Sequence, residues 1–137
     1  MSRGYRNNNP LNIRKNSTEW EGLKEQQSDY SFFQFETMAY GYRAAFITLN
    51  TYREKYGCVS LADYIRRWAP PCENDTNSYI NFVAKRSGLA DVSVIDTTNK
   101  EQMVKIVAAM ARQENDSEPD MEPIIQGWEL FKKDRLL

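Results

Sequence analysis

Glu114 closes an apolar stripe. Met103, Ile106, Val107, Met110 and Glu114 follow one another at steps of three, one, three and four residues. That spacing puts all five on one face of a helix, so the carboxyl shares the buried side. Burial penalises the charged form of a carboxyl and keeps its proton on. Glu114, Asp116, Glu118, Asp120 and Glu122 also lie close together with no base between them. Their repulsion is expected to act in the same direction. A carboxylic acid still protonated near neutral pH is what general-acid cleavage of a glycosidic bond requires. Read for structure alone, the same stretch is an acidic, frayed helix end.

Two further groups could serve such an acid. In Phe32-Phe33-Gln34-Phe35, alternation sets Gln34 on the face opposite Phe33 and Phe35. An amide among aromatic rings can hydrogen-bond an N-acetyl group while the rings stack on sugar faces. An ordinary strand with one polar face has the same letters. In the run from Trp68 to Tyr79, Asp75 and Thr76 offer a helix N-cap, and Glu73 sits where the helix dipole favours negative charge. Tyr79, on the inner face of the first turn, could aim its hydroxyl at a carboxyl in a cleft.

Composition narrows the chemistry. The chain has no histidine, which removes Ser-His-Asp and Cys-His catalysis, HExxH metal sites and histidine acid–base work. Two cysteines, Cys58 and Cys72, cannot form a structural zinc site by themselves; they form one disulfide or stay reduced. Glycine is scarce and no phosphate-cradling pattern occurs, so no cofactor or metal is expected. Eighteen basic and nineteen acidic residues leave a net charge of −1, which argues against a nucleic-acid binder that works by bulk electrostatics. No run approaches the ~18 apolar residues of a membrane span. The start lacks an apolar core for a Sec signal. Its bases Arg3, Arg6, Arg14 and Lys15 suit either a solvated terminus or a contact with an anionic surface.

The elements that must position these groups follow from periodicity. With 137 residues, 41% hydrophobic and 27% charged, the chain fits one domain, 1–137. Asn7-Asn8-Asn9-Pro10 reads as a loop into a short extended piece. The aromatic runs at 20–35 predict a small, twisted two- or three-stranded sheet. Residues 38–56 place Tyr42, Phe46, Leu49, Tyr52 and Tyr56 at helical steps, and Gly57 supplies a stop. A second helix runs from Ser60 to Pro70-Pro71, and a third from about Asp75 to Ser87 with Gly88 as its cap. A fourth opens on the box Thr98-Asn99-Lys100-Glu101. A last spans about 120–132 and buries Ile124, Trp128 and Phe131. The fold expected is α+β, mostly α, with a small N-terminal β-sheet packed on about five helices.

Taken together, the pieces resemble the lytic transglycosylase branch of the lysozyme superfamily in rotated order. Phe32-Phe33-Gln34 resembles its Gly-Leu-Met-Gln block. The stretch from Tyr64 to Pro70 matches its Ala-Tyr-Asn-Ala-Gly block in position but not in letters. Glu73 to Val83 looks like Glu-Thr-x-x-Tyr-Val with an insertion. Gln113 to Pro119 looks like Gln-Glu-Ser-x-x-x-Pro, with Asn115 in place of Ser. The Glu block stands last instead of first, as a circular permutation would leave it. The chain is also similar to small phage and prophage proteins opening with Arg-Asn-Asn-Asn-Pro-x-Asn-Ile-Arg, here Arg6 to Arg14, followed by Gly41-Tyr42-Arg43-Ala44. Glu21-Gly22, which faintly resembles another phage lysozyme group, is set aside because its neighbours read as strand.

The resemblance implies a lysozyme-like, circularly permuted fold and a peptidoglycan substrate. Glu114 would protonate the oxygen of the β-1,4 bond between N-acetylmuramic acid and N-acetylglucosamine. It would then take a proton from the muramoyl 6-hydroxyl, closing a 1,6-anhydro ring. Gln34 would hold an acetamido group, Tyr79 would orient Glu114, and Trp68 would line the cleft. A hydrolase would need a second carboxylate, for which Glu73, Glu36 and Asp116 are available. The alternative is a phage virion or saccharide-binding protein of the same fold without catalysis. Partners implied are glycan strands and other virion proteins. The route implied is carriage in the virion or release to the wall by the phage.

Overall fold

The computed structural model describes residues 1–135; the last two residues of the expected 1–137 domain lie outside it. Six helices are present among the described residues: α1 Arg3–Arg6, α2 Met38–Tyr56, α3 Leu61–Trp68, α4 Thr76–Ser87, α5 Lys100–Asn115 and α6 Met121–Arg135. The five long ones fall where the periodicity puts them, because their end signals are local. Ser60 and Asp63 form a reciprocal capping box at the start of α3. Asn99, rather than Thr98, caps α5 through the Gln102 N–H. Gly57 and Gly88 end α2 and α4 in the left-handed conformation.

The expected N-terminal β-sheet is absent among the described residues. Between α1 and α2 the chain makes only isolated antiparallel bridges, Arg14 with Phe32 and Leu23 with Phe35. Side-chain amides take the partners that a ladder would use. The Asn9 Nδ2 donates to the carbonyls of Ile13 and Phe33, at 3.0 and 2.9 Å. The Gln27 Oε1 accepts from the Gln34 backbone N–H, and its Nε2 donates to the Gln34 carbonyl. A few backbone bonds also cross, such as the Phe33 N–H to the Ile13 carbonyl and the Lys24 N–H to the Gln34 carbonyl, but they stop at single bridges. The aromatic alternation still serves a core: Phe33, Phe35, Ile13 and Ala44 form a small buried cluster edged by Trp20, Leu23, Tyr40 and Trp68.

The larger core is helical. α6 lies along α2, with Trp128 edge-on to Phe46 at 5.1 Å between ring centroids and 5.1 Å from Phe131. Each of these buried rings contributes about 2–3 kcal/mol by removal from water. α5 runs against α4, and its stripe Met103, Ile106, Val107 and Met110 is buried. The Thr76 hydroxyl donates to the Ala69 carbonyl at 2.6 Å, tying the start of α4 to the end of α3.

Gly41 lets the N-terminal loop meet α2. A Cβ there would stand 2.0 Å from the Asn8 carbonyl oxygen, against backbone that cannot yield. Gly57, at φ 66°, has open space around it. Gly41→Ala should therefore cost about 2 kcal/mol or more through overpacking, whereas Gly57→Ala should cost about 1 kcal/mol through backbone conformation alone. Urea unfolding of the two variants checks the order; equal costs would contradict the close approach.

Candidate functional site

Three elements converge on the end of α5. Glu114 occupies the last turn of that helix and is half-buried. Its Oε2 accepts from the Tyr79 hydroxyl at 2.9 Å, and its Oε1 from the Asn12 Nδ2 at 3.0 Å. Tyr79 itself is buried in the first turn of α4. Burial pushes the tyrosine hydroxyl's pKa well above its ordinary value, and the Glu114 charge adds to this, so Tyr79 stays a donor.

Burial also raises Glu114 above the ordinary glutamate value of 4.5. Hydrogen bonds from Asn12, Tyr79 and Trp68 and the Arg14 charge pull the other way, less strongly. The repulsion expected from neighbouring acids plays no part. Arg112 pairs with Asp116 at 2.7 Å, and Arg86 and Arg112 both hold Glu118. Those acids are exposed, on the far side of the helix end from the apolar stripe.

Asn12 reaches Glu114 because the asparagine-rich loop is pinned to α5. The Asn115 Nδ2 donates to the Pro10 carbonyl at 2.7 Å and to the Ala111 carbonyl at 2.9 Å, and its Oδ1 accepts from the Ser2 hydroxyl at 2.6 Å. A Cβ on Gly4 would lie 2.5 Å from that Oδ1, so α1 can approach only with glycine there. Asn8 and Asn12 both adopt positive φ, 52° and 53°, a conformation asparagine tolerates better than most residues. Arg3 grips Asp29 through two 2.7 Å bonds and holds that carboxyl well below the usual carboxylate range.

The acid opens onto a groove. A small recess of about 110 Å³ against Glu114 is lined by Asn12, Arg14, Phe32, Trp68 and Glu73 among others. Asn12, Arg14 and Trp68 also wall a larger hollow of about 670 Å³ that runs on past Trp20 and Thr51, within the range of about 300–1,000 Å³ common for ligand sites.

Of the residues singled out in the sequence, the structure brings Glu114, Tyr79, Trp68 and Glu73 together, with Glu73 exposed at the lip. Gln34 is not among them. Its Oε1 accepts from the backbone N–H groups of Ser28 and Asp29 and the Ser28 hydroxyl, and its Nε2 donates to the Asn7 Oδ1. Gln34 shapes the loop, leaving no free amide for a sugar. Glu36 and Asp116 do not line the recess. Asn12 and Arg14 were missed as site residues. Both stand in the Arg6–Arg14 string, whose Asn and Pro letters explained a loop but carried no local sign of its contact with Glu114. Cys58 and Cys72 are free thiols. No group of three His, Cys, Asp or Glu among the described residues could hold a metal ion.

These features define a small helical protein with a largely buried carboxyl of raised pKa in a recess beside a larger hollow, and comparison with known proteins places it among those of bacteriophages. The chain is 44% identical over 121 residues to Protein P5 of Pseudoalteromonas phage PM2, a match covering 86% of this chain and 74% of that protein. It belongs to the same family as Protein P5. No protein-family model matches it. No helix among the described residues is long and apolar enough to cross a membrane.

The raised Glu114 pKa fixes a sign for stability. Below pH 4.5 the carboxyl is protonated whether the chain is folded or not, and its burial is not opposed by charge. As pH rises from 4.5 through the raised native value, the unfolded chain ionises more easily, and stability is lost. Glu114→Gln carries no titrating proton there. The melting temperature of Glu114→Gln minus that of the unaltered chain should be more positive at pH 7 than at pH 4. A difference that stays constant or shrinks toward pH 7 would show that burial does not dominate at this carboxyl.

Proposed function

We propose that the protein is a phage-encoded peptidoglycan lytic transglycosylase, acting on the β-1,4 bond between N-acetylmuramic acid and N-acetylglucosamine with Glu114 as general acid and then base. One observation carries this reading: a carboxyl with a raised pKa, held by Tyr79 and Asn12, sits where the groove narrows. The resemblance of the Gln113–Pro119 and Glu73–Val83 stretches to the lytic transglycosylase blocks supports it. The family tie to a phage protein fits a wall-directed role with the protein carried in the virion or released by the phage.

The chemistry asks little beyond this carboxyl. The two Glu114 oxygens together keep acceptor capacity beyond the bonds from Asn12, Tyr79 and Trp68, so one oxygen can carry the proton while Tyr79 and Asn12 hold the plane. Protonation of the bridging oxygen breaks the bond to the muramoyl anomeric carbon. The resulting carboxylate takes the proton of the muramoyl 6-hydroxyl, whose oxygen closes onto that carbon. Both donors stabilise the carboxylate formed between the two steps, and the ring closure replaces an attacking water. No second carboxylate is required. Trp68, half-buried on the wall, offers a ring face to a pyranose.

Clearing of purified cell walls in a gel tests the assignment. The unaltered chain should clear and release a 1,6-anhydromuramoyl product, identified by mass; Glu114→Gln should abolish clearing while the fold survives. Equal clearing by both would remove Glu114 as the acid, a hydrated product would indicate a hydrolase, and no clearing by either would leave a non-catalytic virion or saccharide-binding protein. Tyr79→Phe removes a bond that favours the charged carboxylate. It should slow clearing about tenfold or more and move the alkaline limb of the pH profile upward. An unmoved profile would mean that Tyr79 does not tune the acid.

A further inference from the structure

The groove continues beyond the acid, and its charge differs from that of the protein as a whole. The hollow of about 670 Å³ has Arg14 and Lys55 on its walls and, among the described residues, no Asp or Glu. It shares Tyr52 and Tyr56 with a neighbouring hollow of about 760 Å³ that adds Arg66 and Arg67. The acid on that stretch, Asp63, is already engaged: it accepts from the Ser60 and Val59 backbone N–H groups and lies 4.0 Å from Arg66.

Arg14, Lys55 and Arg67 form no salt bridge among the described residues, as is also true of several bases elsewhere on the surface such as Lys24 and Lys85; what sets the three apart is their place on one groove. Aromatic rings hold the three groove cations instead. The Arg14 guanidinium lies 5.5 Å from the Phe32 centroid, and the Lys55 ammonium 5.4 Å from that of Tyr56. The Arg67 guanidinium is 3.3 Å from the Tyr56 centroid and 5.4 Å from that of Tyr52. A ring face orients a cation without neutralising it. Lys55 and Arg67 share one ring, Tyr56. Trp20 adds a ring to the same wall, its indole N–H buried.

We infer that this extended groove is a binding track for an acidic, carboxylate-bearing glycan strand, with Arg14, Lys55 and Arg67 as its specificity-determining residues. The inference rests on the proposed action at Glu114, because the track opens from the recess that holds that carboxyl. Aromatic walls take sugar faces, and the oriented cations take carboxylates at intervals along the strand. A neutral N-acetylglucosamine polymer would meet the rings but leave the cations unused. A nucleic acid would suit rings and bases as well, but the track leads to a carboxyl suited to glycosidic oxygen and not to phosphate.

The test uses the full chain carrying Glu114→Gln, so that binding is read without turnover. The probes are uncrosslinked peptidoglycan strands with stem peptides, the same strands after amidase removal of the peptides, neutral chitohexaose and a single-stranded oligothymidylate. Strands with stem peptides should bind, and their affinity should fall as salt rises. Adding Lys55→Gln and Arg67→Gln should weaken that binding roughly tenfold and leave chitohexaose binding unchanged. Amidase removes the peptide carboxylates and frees a lactyl carboxylate at each muramoyl residue, so lost affinity would assign the peptide carboxylates as the contact and retained affinity would show that lactyl carboxylates serve in their place; both outcomes support the track. Equal affinity for chitohexaose, indifference to Lys55→Gln with Arg67→Gln, or tighter binding of oligothymidylate would overturn it. Thermal melts confirm that the variants fold. The same pair of substitutions in the unaltered chain gives a second readout, slower wall clearing with a weaker salt dependence. Salt-sensitive binding through Lys55 and Arg67 without any clearing would retain the track and defeat the enzymatic reading. Clearing that ignores both residues would do the reverse.

Discussion

The Asn115 side chain is the joint on which the site depends. One amide spans three pieces of chain, accepting from Ser2 and donating to Pro10 and Ala111. Buried polar groups are costly unless satisfied, and here both ends of the buried Asn115 amide are satisfied. The consequence is geometric. The loop from Asn7 to Arg14 cannot drift from the end of α5, so Asn12 meets the Glu114 carboxyl and Arg14 stands beside it. A serine here, with one donor and a shorter reach, could not make the same two donations.

Around that joint, burial and hydrogen bonding oppose one another at a single carboxyl. Depriving Glu114 of water favours its neutral form, while Asn12, Tyr79, Trp68 and Arg14 favour the charged form, and burial prevails. A group balanced in this way can hold a proton and also tolerate losing it. The balance is local. The next acids in sequence, Asp116 and Glu118, are exposed and matched by Arg86 and Arg112. Groove cations are treated in the opposite manner, oriented by rings and left without acidic partners. Charge is thus quenched on the outer surface near the acid and kept available along the groove, in a chain whose total is close to neutral.

Legibility from sequence followed the range of the contacts. The five long helices were readable because their periodicity, caps and glycine stops act within a few residues. The Glu114 stripe was readable for the same reason, and Tyr79 by its place on the inner face of a first turn. The segment between α1 and α2 misled. Phe33 and Phe35 alternate around Gln34 as a strand would, and they do face a core. But Asn9 and Gln27 lie at other points in the sequence, and their amides take backbone groups of Phe33 and Gln34, while the backbone bonds between the extended pieces stay isolated. Nothing in an alternating pattern reports what will bond its backbone. The four residues of α1 escaped notice too, since one turn carries no period.

What the sequence determined by itself was therefore the helical skeleton and the fact that one carboxyl, in a chain without histidine, would face inward. These follow from interactions between residues three and four apart. Only the tertiary structure decided which groups that carboxyl would meet: Tyr79 across 35 residues and Asn12 across 102. It also decided that Gln34 would be spent inside its own loop, and that Arg14, Lys55 and Arg67 would share one groove. Such pairings depend on how the helices and the asparagine loop stack. Stacking is selected by the fit of whole surfaces, and the spacing along any one segment does not contain it.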